Sequence, residues 1–413
     1  MAFVAAGCTP SSDADQAHTI DVFGPYVGAE AKAFIDSMSK FEFDTGIKVN
    51  YTGSLDFLSD LVRRVQSGAD EPDIAMVPQP AVITELIESG EIVQLSDATV
   101  ESIQANYDLA GLDLSHEKYV LPYRGTIKSV VWYRPDVFAE HQLSLPETFD
   151  ELVELVEEID AIENLAPWCF SIFSGAATGW PATDWVEDIV LRRAGPEAYD
   201  EWVRGERPFD DDEIREAFLE FEELVLFERS AGGLRSILNT EIAEAGEPLF
   251  SDPAGCALYK QASFAESWFP DGTEVGPDSD VDYFILPAID QGQDAPLVTA
   301  GDGAVQFDDR EEVNKLMTYL ATPDGATSWA KRGGFVSART SVDHDTYYHG
   351  ASRRFSELLV DAPVRRFDAS DVMPANVGSG LLWSQITAWI AGSITLDELV
   401  ASVDEAFELE GQP

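Results

Sequence analysis

Three short runs decide the fold: His18-Thr19-Ile20-Asp21-Val22-Phe23, Ile47-Lys48-Val49-Asn50-Tyr51-Thr52 and Asp73-Ile74-Ala75-Met76-Val77. Each is short and rich in apolar or β-branched residues, and reads as a strand. Between the first two, residues 30–43 put Phe34, Met38 and Phe41 on one face of a helix. Residues 57–66 read as a second helix and 81–88 as a third, closed by Gly90. The β-α-β-α-β order predicts a mainly parallel sheet flanked by helices. Ligands of such sheets bind at the carboxyl ends of the strands. Here those ends carry Phe23-Gly24-Pro25-Tyr26 and Gln79.

Outward from this segment, residues 119–133 form a long extended stretch that suits a crossing between domains, and residues 298–307 form another. Thr148 with Glu151 makes a capping box for a helix carrying Leu152, Leu155, Val156 and Ile159. Helices are expected over 184–193 and 211–227, and strands near 256–259 and 283–286. The acidic run Asp210-Asp211-Asp212-Glu213 lacks the alternating ligand spacing of a calcium loop and reads as a helix N-terminus.

A chain of 413 residues is too long for one ordinary core, so two domains are expected. Its 76 acidic and 26 basic side chains leave a net charge of -50, which repels polyanions and excludes nucleic acid as a natural partner. No stretch approaches the roughly 20 apolar residues of a membrane span. Phosphate-loop, zinc-protease and nucleophile-elbow motifs are missing, and the five His lack metal spacing. No catalytic residue, cofactor or metal is expected.

Ala6-Gly7-Cys8, preceded by small apolar residues and followed by a polar tether, resembles the end of a bacterial lipoprotein signal, with Cys8 as the lipidated residue. The remaining cysteines, Cys169 and Cys256, could pair in an oxidising compartment or stay two separate buried thiols.

Several patterns appear in a fixed order: the 121–133 stretch, Trp168-Cys169 followed by Gly179-Trp180-Pro181-Ala182-Thr183-Asp184-Trp185, Ala300-Gly301-Asp302-Gly303-Ala304, and Met373-Pro374 leading to Trp383. From about residue 18 to 407 the chain resembles the extracellular solute-binding protein family 1 of ABC importers, the maltose-binding-protein-like group and especially its α-glucoside-binding relatives. The resemblance implies an α/β fold of two type II lobes joined by crossing hinge segments. Lobe one would span 18–126 plus 300–332, lobe two 127–299 plus 333–410, and residues 1–17 would be signal remnant and tether. It further implies an extracytoplasmic monomer, anchored through its lipid, that captures a sugar and delivers it to permease transmembrane subunits by lobe closure.

Sugars offer C-H faces that stack on aromatic rings and hydroxyls that need fixed polar partners. By position the resemblance makes Trp180, Asp184, Trp185, Trp268, Glu266 and Trp383 ligand contacts from lobe two. Phe23 and Gln79 would contribute from lobe one, and Gly301, Asp302, Arg124 and Lys128 from the crossings. The third strand ends without a Trp, where maltose-binding relatives carry an aromatic, which argues against maltodextrin itself. A polyamine cargo, attracted by the negative charge, and a glycoside hydrolase, using paired carboxylates, are the rival readings.

Overall fold

A computed structural model of the chain describes residues 19–68, 70–107, 118–277, 279–337, 339, 341–347 and 350–410. Cys8 and the tether lie outside the described residues.

Strand β1 (Thr19–Gly24) lies between β2 (Lys48–Gly53) and β3 (Ile74–Val77), parallel to both. All four residues of β3 are buried, as expected for a strand covered on both faces. The helix expected over 30–43 is two helices, Gly28–Ser37 and Ser39–Thr45, divided at Met38, which still packs in the core with Phe34 and Phe41. The next helices are Phe57–Ser67 and Pro80–Ser89.

The long extended stretch divides into β4 (Leu121–Ile127) and β5 (Val130–Tyr133), which belong to different sheets. Strand β4 pairs antiparallel with β9 (Leu297–Gln306), and β9 pairs antiparallel with β3. The parallel pairing foreseen for β1 to β3 therefore widens into a mixed sheet, because strands returning from the second lobe enter from the opposite end. The second sheet has the order β6 (Ala166–Trp168), β7 (Cys256–Lys260), β5, β8 (Asp282–Ile285).

Separate cores lie beneath the two sheets. In the first, Ile20, Val22, Phe34, Leu316 and Trp329 pack together. In the second, Trp168 meets Trp185 edge to face at 4.8 Å amid Phe221, Leu155 and Ile189. Helix Phe149–Asp160 begins where Thr148 Oγ1 accepts from Glu151 N at 3.2 Å. The Glu151 carboxylate turns back to accept from Glu147 N at 2.7 Å. Helix Asp212–Val225 begins at Asp211, whose carboxylate accepts from Glu213 N at 3.0 Å.

A third passage between the cores follows residue 333, and Val336 already packs with Trp132 and Phe355. Phe335, Val342 and Tyr347 still pack in the first core, whereas Phe355, on helix Gly350–Asp361, packs against Trp132 and Tyr283 of the second sheet. Two aromatics after 333, Phe335 and Tyr347, and the aliphatic Val342 thus have their apolar partners in the first core. The chain then returns as β10 (Arg365–Phe367), laid parallel on the start of β9.

Candidate functional site

The carboxyl ends of β1 and β3 carry Tyr26 and Gln79 to the rim of a cavity of about 850 Å³ between the two sheets. That volume is within the usual range of roughly 300–1,000 Å³ for small-molecule sites. Its floor is the β4 crossing. Arg124, Thr126 and Lys128 alternate along it and all three reach the cavity, as period-two geometry requires. From the second lobe come Trp180, Phe264, Trp268 and Trp383.

Arg124 and Asp302 are opposite one another on β4 and β9. Arg124 Nε donates to Asp302 Oδ2 at 2.7 Å and one of its terminal nitrogens to Glu30 Oε1 at 2.7 Å. The Tyr26 hydroxyl donates to the same Asp302 oxygen at 2.8 Å, and the guanidinium lies over the rings of Tyr26 and Trp329, 4.8 and 5.2 Å from their centres. Burial works against the Arg124 charge, and Asp302 with Glu30 outweighs it, raising its pKa. Burial and the Asp302 charge push the Tyr26 phenol up, so it stays a donor. At Gly301 a Cβ would come 2.5 Å from the Arg124 carbonyl oxygen, so only glycine lets the two crossings lie this close.

The second charged cluster centres on Lys128. Its Nζ lies 3.0 Å from Asp184 Oδ1 and 3.0 Å from Asp368 Oδ2, and 4.4 Å from the centre of the Trp180 ring. Burial disfavours the ammonium, but the two carboxylates more than compensate and raise its pKa. Asp184 is pushed up to about 7, first by burial and then by Asp368, against the pull of Lys128. Asp368 is also buried, but Lys128 holds its carboxyl below the usual value. Glu187, beneath them, accepts from the backbone N–H of Ala369 and Ser370, and burial raises its pKa well above normal. The carboxylates of Asp184, Glu187 and Asp368 lie within 4.8 Å of one another, a spacing that would suit a metal. Lys128, bound to two of them, supplies the cation instead.

Helix Trp180–Arg193 carries much of this chemistry. It starts at Gly179, whose φ is 115° and where a Cβ would come 2.3 Å from the Trp383 carbonyl oxygen. Glycine is therefore what lets the helix begin against Trp383. The Trp383 indole donates from Nε1 to Ser370 Oγ at 3.0 Å.

Eight of the sequence candidates line the cavity: Gln79, Arg124, Lys128, Trp180, Trp268, Gly301, Asp302 and Trp383. Four do not. Asp184 stands behind Lys128 and reaches the cavity only through it. Trp185 is buried against Trp168, because five residues along a helix turns it well away from the face of Trp180. Phe23 is packed between Phe57 and the Arg64 guanidinium, on the opposite side of β1 from Val22. Glu266 is turned to the third passage, where Oε1 accepts from Ser352 Oγ at 2.8 Å and from Gly334 N. Sequence reasoning missed Glu30, Phe264, Asp368 and Asp371. Asp368 and Asp371 had a local signal: Asp-x-x-Asp is a helix cap, and the Asp368 carboxylate accepts from Asp371 N at 3.1 Å. Cys169 and Cys256, on adjacent strand ends, have Cα atoms 5.5 Å apart.

The family model described as bacterial extracellular solute-binding protein matches residues 26–327, well over half of the sequence. The chain belongs to that family. Among curated relatives of this solute-binding protein are the alpha-glucosides-binding periplasmic protein AglE of Rhizobium meliloti, 34% identical over 94% of this chain and 87% of its own, and the osmoprotective compounds-binding protein GgtB of Synechocystis sp., 36% identical over 91% of this chain and 89% of its own. A solved chitin oligosaccharide binding protein superposes with a TM-score of 0.79 at 17% identity, covering 94% of this chain and 98% of its own. At that identity the likeness speaks for the type II fold alone. No helix among the described residues is long and apolar enough to cross a membrane.

Proposed function

We propose that this solute-binding protein is the extracytoplasmic subunit of an ABC importer and captures a small, neutral, hydroxyl-rich molecule of the α-glucoside class in the interlobe cleft. One observation carries the reading: both cations of the cleft floor are already held between two carboxylates, Arg124 by Asp302 and Glu30, and Lys128 by Asp184 and Asp368. Arrays of this kind present fixed donors and acceptors, which suits hydroxyls. Beside them, Trp180, Phe264 and Trp268 offer ring faces for C-H stacking. The names of the two relatives, alpha-glucosides for one and osmoprotective compounds for the other, are both compatible with such a ligand.

A polyamine would need several carboxylates free to meet its ammonium groups, and the four beside Arg124 and Lys128 are engaged by those cations. Against hydrolysis, Asp184, pushed up to about 7, stands behind Lys128 and does not line the cavity. The lobes touch at the mouth, where Asp56 Oδ1 accepts from Ala176 N at 2.9 Å. Ligand contacting both lobes would favour this closed arrangement, and the permease would read it. Lipidation at Cys8, a monomeric state and a Cys169–Cys256 disulfide complete the proposal. The disulfide is supported by a Cα separation inside the usual bonded range, and its test is intact mass, lighter without reductant by the two thiol hydrogens.

A thermal-shift screen against mono-, di- and trisaccharides and polyamines tests the ligand class, since a ligand of the folded state raises stability by RT ln(1 + [L]/Kd). A rise with α-glucosides is expected. A flat sugar panel with a polyamine response would overturn the reading.

A further inference from the structure

Gln79 and Asp371 come from opposite lobes and meet at the cavity. Gln79 is the residue before helix Pro80–Ser89, where its side chain makes no capping hydrogen bond. Asp371 lies on the short helix Ala369–Val372, which packs against Pro80–Ser89 across the lobe boundary. Both residues line the cavity, and they are only 8% and 5% exposed. Burial raises the Asp371 pKa, and the Gln79 amide close by acts against it. Even so, Gln79 Oε1 and Asp371 Oδ1 have no partner among the described residues. Buried polar atoms are nearly always satisfied, so two orphans side by side, one from each lobe, indicate an absent group that joins them.

The chemistry of that group follows from the donors and acceptors. The unpartnered Gln79 Oε1 is an amide oxygen and can only accept. Asp371 is surrounded by Asp368, Asp184 and Lys128, and burial with Asp368 raises its pKa, which favours the protonated form, whose O–H can donate. A hydroxyl is both donor and acceptor. It can accept from Asp371 and donate to Gln79 at once, whereas an ether oxygen or an ammonium can make only half of the circuit. We propose that Gln79 and Asp371 form a specificity-determining clasp in which one ligand hydroxyl bridges the two lobes, so that recognition of that hydroxyl and lobe closure are the same event. This rests on the reading of the cleft as a sugar site and adds to it the pair that couples binding to closure.

The test is calorimetric titration of the full protein and its variants with trehalose, maltose and sucrose. Gln79→Leu is expected to weaken the best of these by about 10-fold or more, and Asp371→Leu likewise. The double variant should be little worse than either single one, because both act through one hydroxyl. Asp371→Asn keeps a neutral donor and acceptor of the same shape and should retain binding within about 3-fold. Additive losses, unchanged affinity in Gln79→Leu, or a loss in Asp371→Asn as large as in Asp371→Leu would overturn the clasp. If Asp371→Leu does not fold, Gln79→Leu and Asp371→Asn decide it. A wild-type protein that binds none of the three sugars removes the sugar reading and the clasp together. Wild-type binding that survives the substitutions removes the clasp alone.

Discussion

Lys128 Nζ and Asp368 Oδ2 are 3.0 Å apart, although the chain brings them there by separate passages between the sheets, one leaving β4 and the other just after β10. With Asp184 on the other side, the ammonium is the hub of a buried network that holds together the crossings and helix Trp180–Arg193. Removing the cation strands two buried carboxylates, so Lys128→Met should cost about 3–5 kcal/mol in urea unfolding. Adding Asp184→Asn should recover part of that loss. A single variant as stable as wild type would show that the network does not hold the crossings.

The same network sets a pH dependence. In the unfolded chain Asp184 titrates near 3.8, and in the folded protein near 7. Between about pH 4 and about pH 7 the folded state therefore binds a proton that the unfolded state lacks, and this group's contribution to stability falls as pH rises through that window. Asp368 is shifted the other way, so its contribution is present above 3.8 and is lost only as pH falls below that value, outside the window. Melting temperatures measured across the window at fixed salt should decline toward neutrality. Asp184→Asn should flatten the decline, and an unchanged slope would contradict the assignment.

Trp180 is partly exposed in the cavity beneath Lys128, so Trp180→Ala should weaken sugar binding by about 1–3 kcal/mol with a small effect on melting. Trp383 differs: it is buried, and its indole holds Ser370. Trp383→Ala should weaken binding and also cost about 3 kcal/mol or more of stability. Calorimetry together with denaturant unfolding separates the two effects.

At Gly301, β9 passes close to β4. Gly301→Ala sets a methyl 2.5 Å from the Arg124 carbonyl oxygen, a backbone atom that cannot turn aside. The crossings must separate, at a cost of about 1–3 kcal/mol, and sugar affinity should fall as Arg124 and Asp302 shift. An unfolding midpoint equal to wild type would show that the crossing relaxes freely.

Much of this protein was legible locally. The alternation of strand and helix from Thr19 to Ser89 needs only hydrophobic period, capping residues and turn glycines, all of which are short-range properties. The helix starts at Thr148 and Asp211 were likewise written in adjacent side chains. Period alone did not show the break at Met38, because the apolar face continues through it. Nor did it show which aromatic in Gly179-Trp180-Pro181-Ala182-Thr183-Asp184-Trp185 faces the cavity. Helix geometry turns Trp180 and Trp185 apart, but the direction of the cavity depends on how the whole helix docks.

What the sequence by itself determined is the α/β order, the two-lobe scale and an acidity that repels polyanions, because these rest on composition and local pattern; the eight candidates that line the cleft came from position in the resembled family. Only the tertiary structure decided that Asp184 works through Lys128, that Asp368 completes its charge, that Phe335, Val342 and Tyr347 stay with the first lobe, and that Gln79 meets Asp371. Those relationships join residues from 56 to nearly 300 positions apart. Electrostatic pairing and burial depend on distance in space, and spacing along the chain carries no record of it until the lobes have packed.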